Sequence, residues 1–264
     1  MLSDALNFVP LFVLVFFRVC GLMLSAPVFG STRIPRRVKV LFALVTAAGL
    51  VNGVKVPPAM PATTGELAIG IGGELLFGMV MGLGVGLTFI AVSWAGEIMG
   101  QQMGFNLAES FDPQFGGSGS IVGDLYFMLT LVVFLLIGGH HQLILGVAAS
   151  FKTLPLLAAA FDANLLNVFL GLVTGSTVLA IKLAAPMLVA LLVVDVALGF
   201  ISKTMPQINV MNTGVTIRSV AGMVILIVGL ALATGVISDS LIDGVNTVTR
   251  LWKGPAAPLP PTPL

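Results

Sequence analysis

The residues able to do chemistry in this chain are few, and they stand where charge is costly. Arg18 lies midway along an apolar run from Leu6 to Phe29, Glu74 lies a third of the way along Leu67 to Trp94, and Lys182 and Asp195 fall within Leu165 to Ile201. A charge at such depth is expensive in hydrocarbon, so each is expected to face a protein partner or a wet cavity. Lys182 and Asp195 are thirteen residues apart, about 20 Å along a straight helix, so they should not pair with each other. His140 and His141 are sequence neighbours that point in different directions on a helix. They read as solvated turn residues, with a proton relay as the lesser alternative. Cys20 is the single cysteine, which excludes an intrachain disulfide. There is no nucleophile elbow, no phosphate-binding glycine loop and no metal-ligand spacing. The expectation is a non-enzyme, with no catalytic residue, no cofactor and no metal.

A second concentration of polar residues runs from Gly96 to Gly123 and holds Glu97, Gln101, Gln102, Asn106, Glu109, Asp112, Gln114, Ser118 and Ser120. Backbone outside a helix cannot face lipid, so this stretch lies in water or inside protein. Asp112-Pro113 and the glycines Gly116, Gly117 and Gly119 stop any helix there. Phe105, Phe111 and Phe115 are spread through it, with Met99 and Met103 just ahead. A polar, flexible segment with bulky apolar tips suits a plug that fills a pore and moves aside. An extramembrane connector between two helices fits the same composition.

The elements that must carry these groups follow from composition. Of 264 residues 57% are hydrophobic and 9% charged, with a mean hydropathy of +1.10, far from the quarter or so of charged residues usual in soluble domains. An all-α, polytopic membrane protein of long helices and helical hairpins is therefore expected. A net charge of +1 with scattered basic residues argues against nucleic acid as a partner.

In chain order, Leu6 to Phe29 is long enough to span and has no basic start of the signal-peptide kind, so it is expected to be retained. The cations of Pro27 to Val40, Arg33, Arg36, Arg37 and Lys39, would place that loop in the cytoplasm. Val38 to Val54 barely reaches spanning length and ends at a linker with Pro57, Pro58 and Pro61. Leu67 to Trp94 carries Gly78, Gly82 and Gly86 on one face, a spacing that lets helix backbones approach closely. Leu125 to Ile137 and Leu143 to Leu157 suggest a helical hairpin, or a span and a shorter helix. Leu165 to Ile201 is too long for one upright span, and Lys182 and Pro186 mark an expected break. Ser202 to Arg218 reads as a second polar, proline-bearing turn. The last apolar run is Ser219 to Ile237, followed by a more polar helical stretch. Residues 1–253 are read as one polytopic domain, and the proline-rich 254–264 as a disordered tail.

Several blocks together carry a family resemblance: PVFGSTRIPRRVKV, GFNLAESFDP followed by LVVFLLIGGHHQLILGVAASFKTLPL, and VVDVALGFISKTMPQINV. In order and spacing, to about residue 230, they resemble the FliR family of flagellar export-gate proteins, whose virulence-system relatives are called SctT. The resemblance implies a subunit of the flagellar type III secretion export gate in the bacterial inner membrane, within the basal body. It implies FliP and FliQ as membrane partners, with an FlhB-type export switch protein, and unfolded proteins as transient substrates. It also implies that Arg18, Glu74, Lys182 and Asp195 face neighbouring subunits. The family's plug loop matches Gly104 to Ser120, which carries over Phe105, Phe111, Asp112 and Pro113.

A conduit wide enough for unfolded polypeptide must not leak ions at rest, so a closed state needs a water-excluding constriction. Phe105, Phe111, Phe115 and nearby methionines such as Met103 can pack into one. Gly116, Gly117 and Gly119 give the segment freedom to withdraw, and Gly104 is counted with the plug residues. The resemblance also implies a virulence-type export-gate subunit as an alternative, and the residues by themselves offer a secondary transporter of a small solute built on the four buried charges and broken helices. A scaffold for other subunits is compatible with the gate.

Overall fold

In a computed structural model the described residues are 2–30, 34–57, 61, 63–105, 120–157, 163–205 and 210–251. They form eight helices and no strand: α1 Leu2–Ser25, α2 Pro27–Gly30, α3 Arg36–Val51, α4 Thr64–Gln102, α5 Ile121–Leu136, α6 Gly139–Thr153, α7 Ala163–Thr204 and α8 Val210–Leu251. The helix pairs every interior backbone group within itself, the one way short of a closed barrel to place a chain in hydrocarbon. Among the described residues, four segments are long and apolar enough to cross a membrane: Phe8–Ser25, Thr64–Gln102, Phe169–Thr204 and Thr213–Gly244. The chain is an all-α, polytopic integral membrane protein.

Three sequence expectations change. α7 runs unbroken through Pro186: a proline removes one backbone bond, whereas ending the helix there would strand several groups in apolar surroundings. The polar stretch from Gly96 is helical as far as Gln102, so Glu97, Gln101 and Gln102 lie on α4. Residues 210–218 are likewise the first turns of α8 and not part of a turn. His140 and His141 are exposed, as expected, but sit in the first turn of α6, behind Gly138 at φ 67°.

The chain divides into two compact units. The first takes the described residues of Met1–Leu87, Gly138–Leu172 and Leu241–Leu264, and the second those of Thr88–Ile137 and Val173–Ser240.

In the first unit α1 buries Leu11, Leu14, Val15, Val19 and Leu22, a stripe at helical spacing. It packs against α3, and Phe29 stacks on Phe42 with centroids 5.5 Å apart. Against α4 the contact is backbone to backbone. A Cβ at Gly21 would lie 2.1 Å from the Leu75 carbonyl oxygen, and one at Gly78 2.0 Å from that of Arg18. Gly82 meets Ser25 and Ala26 in the same way, and Gly86 reaches the carbonyl oxygen of Ser25.

In the second unit α4 and α5 approach as closely, a Cβ at Gly96 lying 2.7 Å from Gly123 Cα. Phe89 meets Phe127 and Phe134 edge-on at 5.5 and 5.6 Å. Small residues thus set the helix spacing, and aromatic rings fill the gap beyond them.

Candidate functional site

The first unit is built around a buried cation. α1 carries Arg18 inward on its apolar stripe, where it is 0% exposed. Its Nε donates to Glu74 Oε2 on α4 at 2.5 Å, and Nη1 donates to Ser150 Oγ at 3.1 Å and the Leu154 carbonyl at 3.2 Å. Phe77 and Phe151 lie 4.5 and 4.4 Å from the guanidinium carbon, close enough for cation–π attraction. The second oxygen of Glu74 accepts the Leu157 backbone N–H at 3.0 Å. Leu157 sits at φ 68°, where a leucine stays only when its surroundings hold it. One ion pair therefore ties α1, α4, α6 and the turn after α6.

The expected partners of Arg18 and Glu74 in other subunits are thus found inside the chain. Asp195 is paired within the chain as well, with Arg218 of α8 in the second unit. Lys182 differs. It is exposed on α7, with no hydrogen bond or ion pair among the described residues. It sits at the edge of an apolar pocket of about 120 Å³ lined by Met99, Tyr126, Leu183, Met187 and Leu226.

The polar segment leaves α4 through a left-handed glycine, Gly104 at φ 82°. Gly104 N–H donates to the Gln101 carbonyl at 3.0 Å and Phe105 N–H to that of Gly100 at 3.1 Å, the paired bonds of a Schellman cap. Met99 and Met103 are buried, and Phe105 is half-buried. The chain re-enters at Ser120, whose hydroxyl caps α5 by accepting from Gly123 N–H at 3.4 Å. Phe111, Asp112, Pro113, Phe115, Gly116 and Gly117 lie outside the described residues.

Sequence reading missed Ser150, Phe77 and Phe151 around Arg18, and Arg218 opposite Asp195. An apolar aromatic or a serine at a helical position gives no local sign of a charge in a distant helix. Arg218 alone had a signal, as a cation next to the last apolar run.

Residues 9–243 match the family described as bacterial export proteins, family 1. The chain is similar to the flagellar biosynthetic protein FliR of Bacillus subtilis, 26% identical over 95% of this chain and 97% of that one. It is similar to the protein of the same name from Pectobacterium carotovorum, 32% identical over 84% of this chain and 85% of that one. The surface presentation of antigens protein SpaR of Shigella sonnei is 26% identical over 81% of this chain and 82% of its own length.

Proposed function

The chain belongs to family 1 of the bacterial export proteins, the FliR family, and on that premise we propose that it is a membrane subunit of the flagellar type III export gate. The observation that carries the proposal is the family match across residues 9–243. The flagellar reading is preferred to the virulence one because relatives named FliR reach 32% identity, against 26% for SpaR.

In this reading the chain assembles with FliP and FliQ, and with an FlhB-type switch protein, in the inner membrane of the flagellar basal body. Unfolded proteins pass through the conduit so formed. The polar segment from Gly104 to Ser120 closes it, its phenylalanines excluding water together with flexible methionine side chains. Lys182 faces a carboxylate of a partner subunit, since an exposed cation flanked by Ile181 and Leu183 is costly against lipid. The chain acts as a gate component and not as an enzyme, as one domain over 1–253.

Deleting residues 104–120 tests the closure. Gates assembled with the shortened chain are expected to conduct ions without substrate in planar bilayers. Conductance equal to that of the parent assembly would remove the plug role.

A further inference from the structure

A basic patch stands at the start of α3, and no described residue answers its charge. Arg36 and Arg37 are exposed and Lys39 is half-buried, and the ion pairs formed among the described residues are made by other groups. No acid stands between Asp4 and Glu66 in the sequence. The helix itself gains nothing from these cations, because its dipole disfavours positive charge in the first turn. Charges kept there against the helix serve something outside it.

The fold fixes the height of this patch. The apolar run of α1 ends at Ser25, and Phe29 of α2 stacks on Phe42, which brings the early turns of α3 beside that end. Arg36 stands six residues before Phe42, about 9 Å along the helix, whereas the residues that α3 turns inward, Ala43, Ala47 and Val51, all follow Phe42. The cations therefore sit where the apolar run gives out. Below them the outward face of α3 is bare: Arg37, Leu41 and Val45 recur every fourth residue with Val38 beside them, and Val38, Leu41 and Val45 are 54, 62 and 66% exposed. Thr46, the uncharged polar side chain of α3, donates to the Phe42 carbonyl of its own helix at 2.8 Å. The face thus offers no free polar group to set the register of a protein partner. Cations at one end and exposed apolar residues beneath them match a bilayer, with headgroup phosphate above and acyl chain below.

We propose that Arg36, Arg37 and Lys39 form a binding site for the headgroup of an anionic phospholipid, whose acyl chains lie along Leu41 and Val45. The guanidinium groups donate to the phosphate oxygens in charge-assisted hydrogen bonds, and the lysine adds a point charge. The site needs no partner subunit and is independent of how the conduit closes.

The experiment is native mass spectrometry of the detergent-solubilised full chain, titrated with phosphatidylglycerol or with phosphatidylcholine of the same acyl chains. The first phosphatidylglycerol is expected to bind at least about tenfold more tightly than phosphatidylcholine, since each basic residue near a headgroup contributes about fivefold. Arg37→Gln should weaken phosphatidylglycerol about fivefold, and the triple variant Arg36→Gln, Arg37→Gln, Lys39→Gln should bring the two lipids level. All four side chains replaced in these variants and the control are at the surface, so unfolding midpoints should match the parent's. Lys55→Gln is that control: it removes the same charge from an exposed position beyond the other end of α3 and should leave the preference unchanged. Equal affinity of the parent chain for both lipids overturns the site. So does a Lys55→Gln loss as large as that of Arg37→Gln, because the preference would then follow net charge and not place. If the triple variant keeps its lipid preference and instead loses partner subunits on purification, the patch faces acidic protein and the lipid site falls.

Discussion

Arg18 and Glu74 show what a charge inside an apolar chain requires. The guanidinium has three hydrogen-bond acceptors and two aromatic rings around it, and the carboxylate gives its remaining oxygen to a backbone N–H. Breaking such a pair from one side leaves a bare charge and costs roughly 3–5 kcal/mol, whereas replacing both partners by apolar residues of similar volume is often close to neutral. Glu74→Gln is therefore expected to lower the unfolding midpoint of the detergent-solubilised protein sharply. The double variant Arg18→Met, Glu74→Leu should recover most of the loss. A Glu74→Gln protein as stable as the parent would show that the pair does not hold this unit together.

Among the elements, α1 and α4 are separated by little more than the width of two backbones. Gly78→Ala would press a methyl onto the Arg18 carbonyl, which has no flexible end to move aside, and overpacking of this kind costs about 1–3 kcal/mol. Gly72 is on the same helix with nothing within 4 Å of a Cβ. Gly72→Ala should be neutral or more stable by up to about 1 kcal/mol from helix propensity alone. Equal midpoints for the two variants would mean that the α1–α4 approach is looser than described. α7 makes the complementary point, since Pro186 within 42 helical residues marks one missing bond and not an end.

For the whole molecule, the outward face of α8 is the telling feature. Val220, Val224, Ile227, Val228 and Leu232 recur at helical spacing and are 58 to 76% exposed, so this chain leaves them to lipid or to other subunits. Lys182, in the interior of α7, is a charge for which no described residue supplies a partner. If a partner's carboxylate meets it, Lys182→Glu sets like charges opposite each other, which costs several kcal/mol. Recovery of partner subunits with the tagged chain should then fall at least about tenfold, with the amount of the chain itself unchanged. Full recovery of partners would mean that Lys182 points to lipid or water.

The amino-acid sequence by itself determined the class of molecule and the place of its polar segment. Composition demands self-paired backbone and marks a polar stretch from Gly96 to Gly123, although its first residues belong to α4 and its last to α5; the narrower bounds Gly104 to Ser120 came with the family resemblance. Caps, glycines and apolar runs act over a few residues. The family resemblance was legible for the same reason, in contiguous blocks. Only the tertiary structure decided that Arg18 meets Glu74 and Ser150, that Asp195 meets Arg218, and that Ser219 holds Met103. Those partners stand 56, 132, 23 and 116 residues apart. Their meeting depends on which faces of long helices pack together, and no local period records that choice.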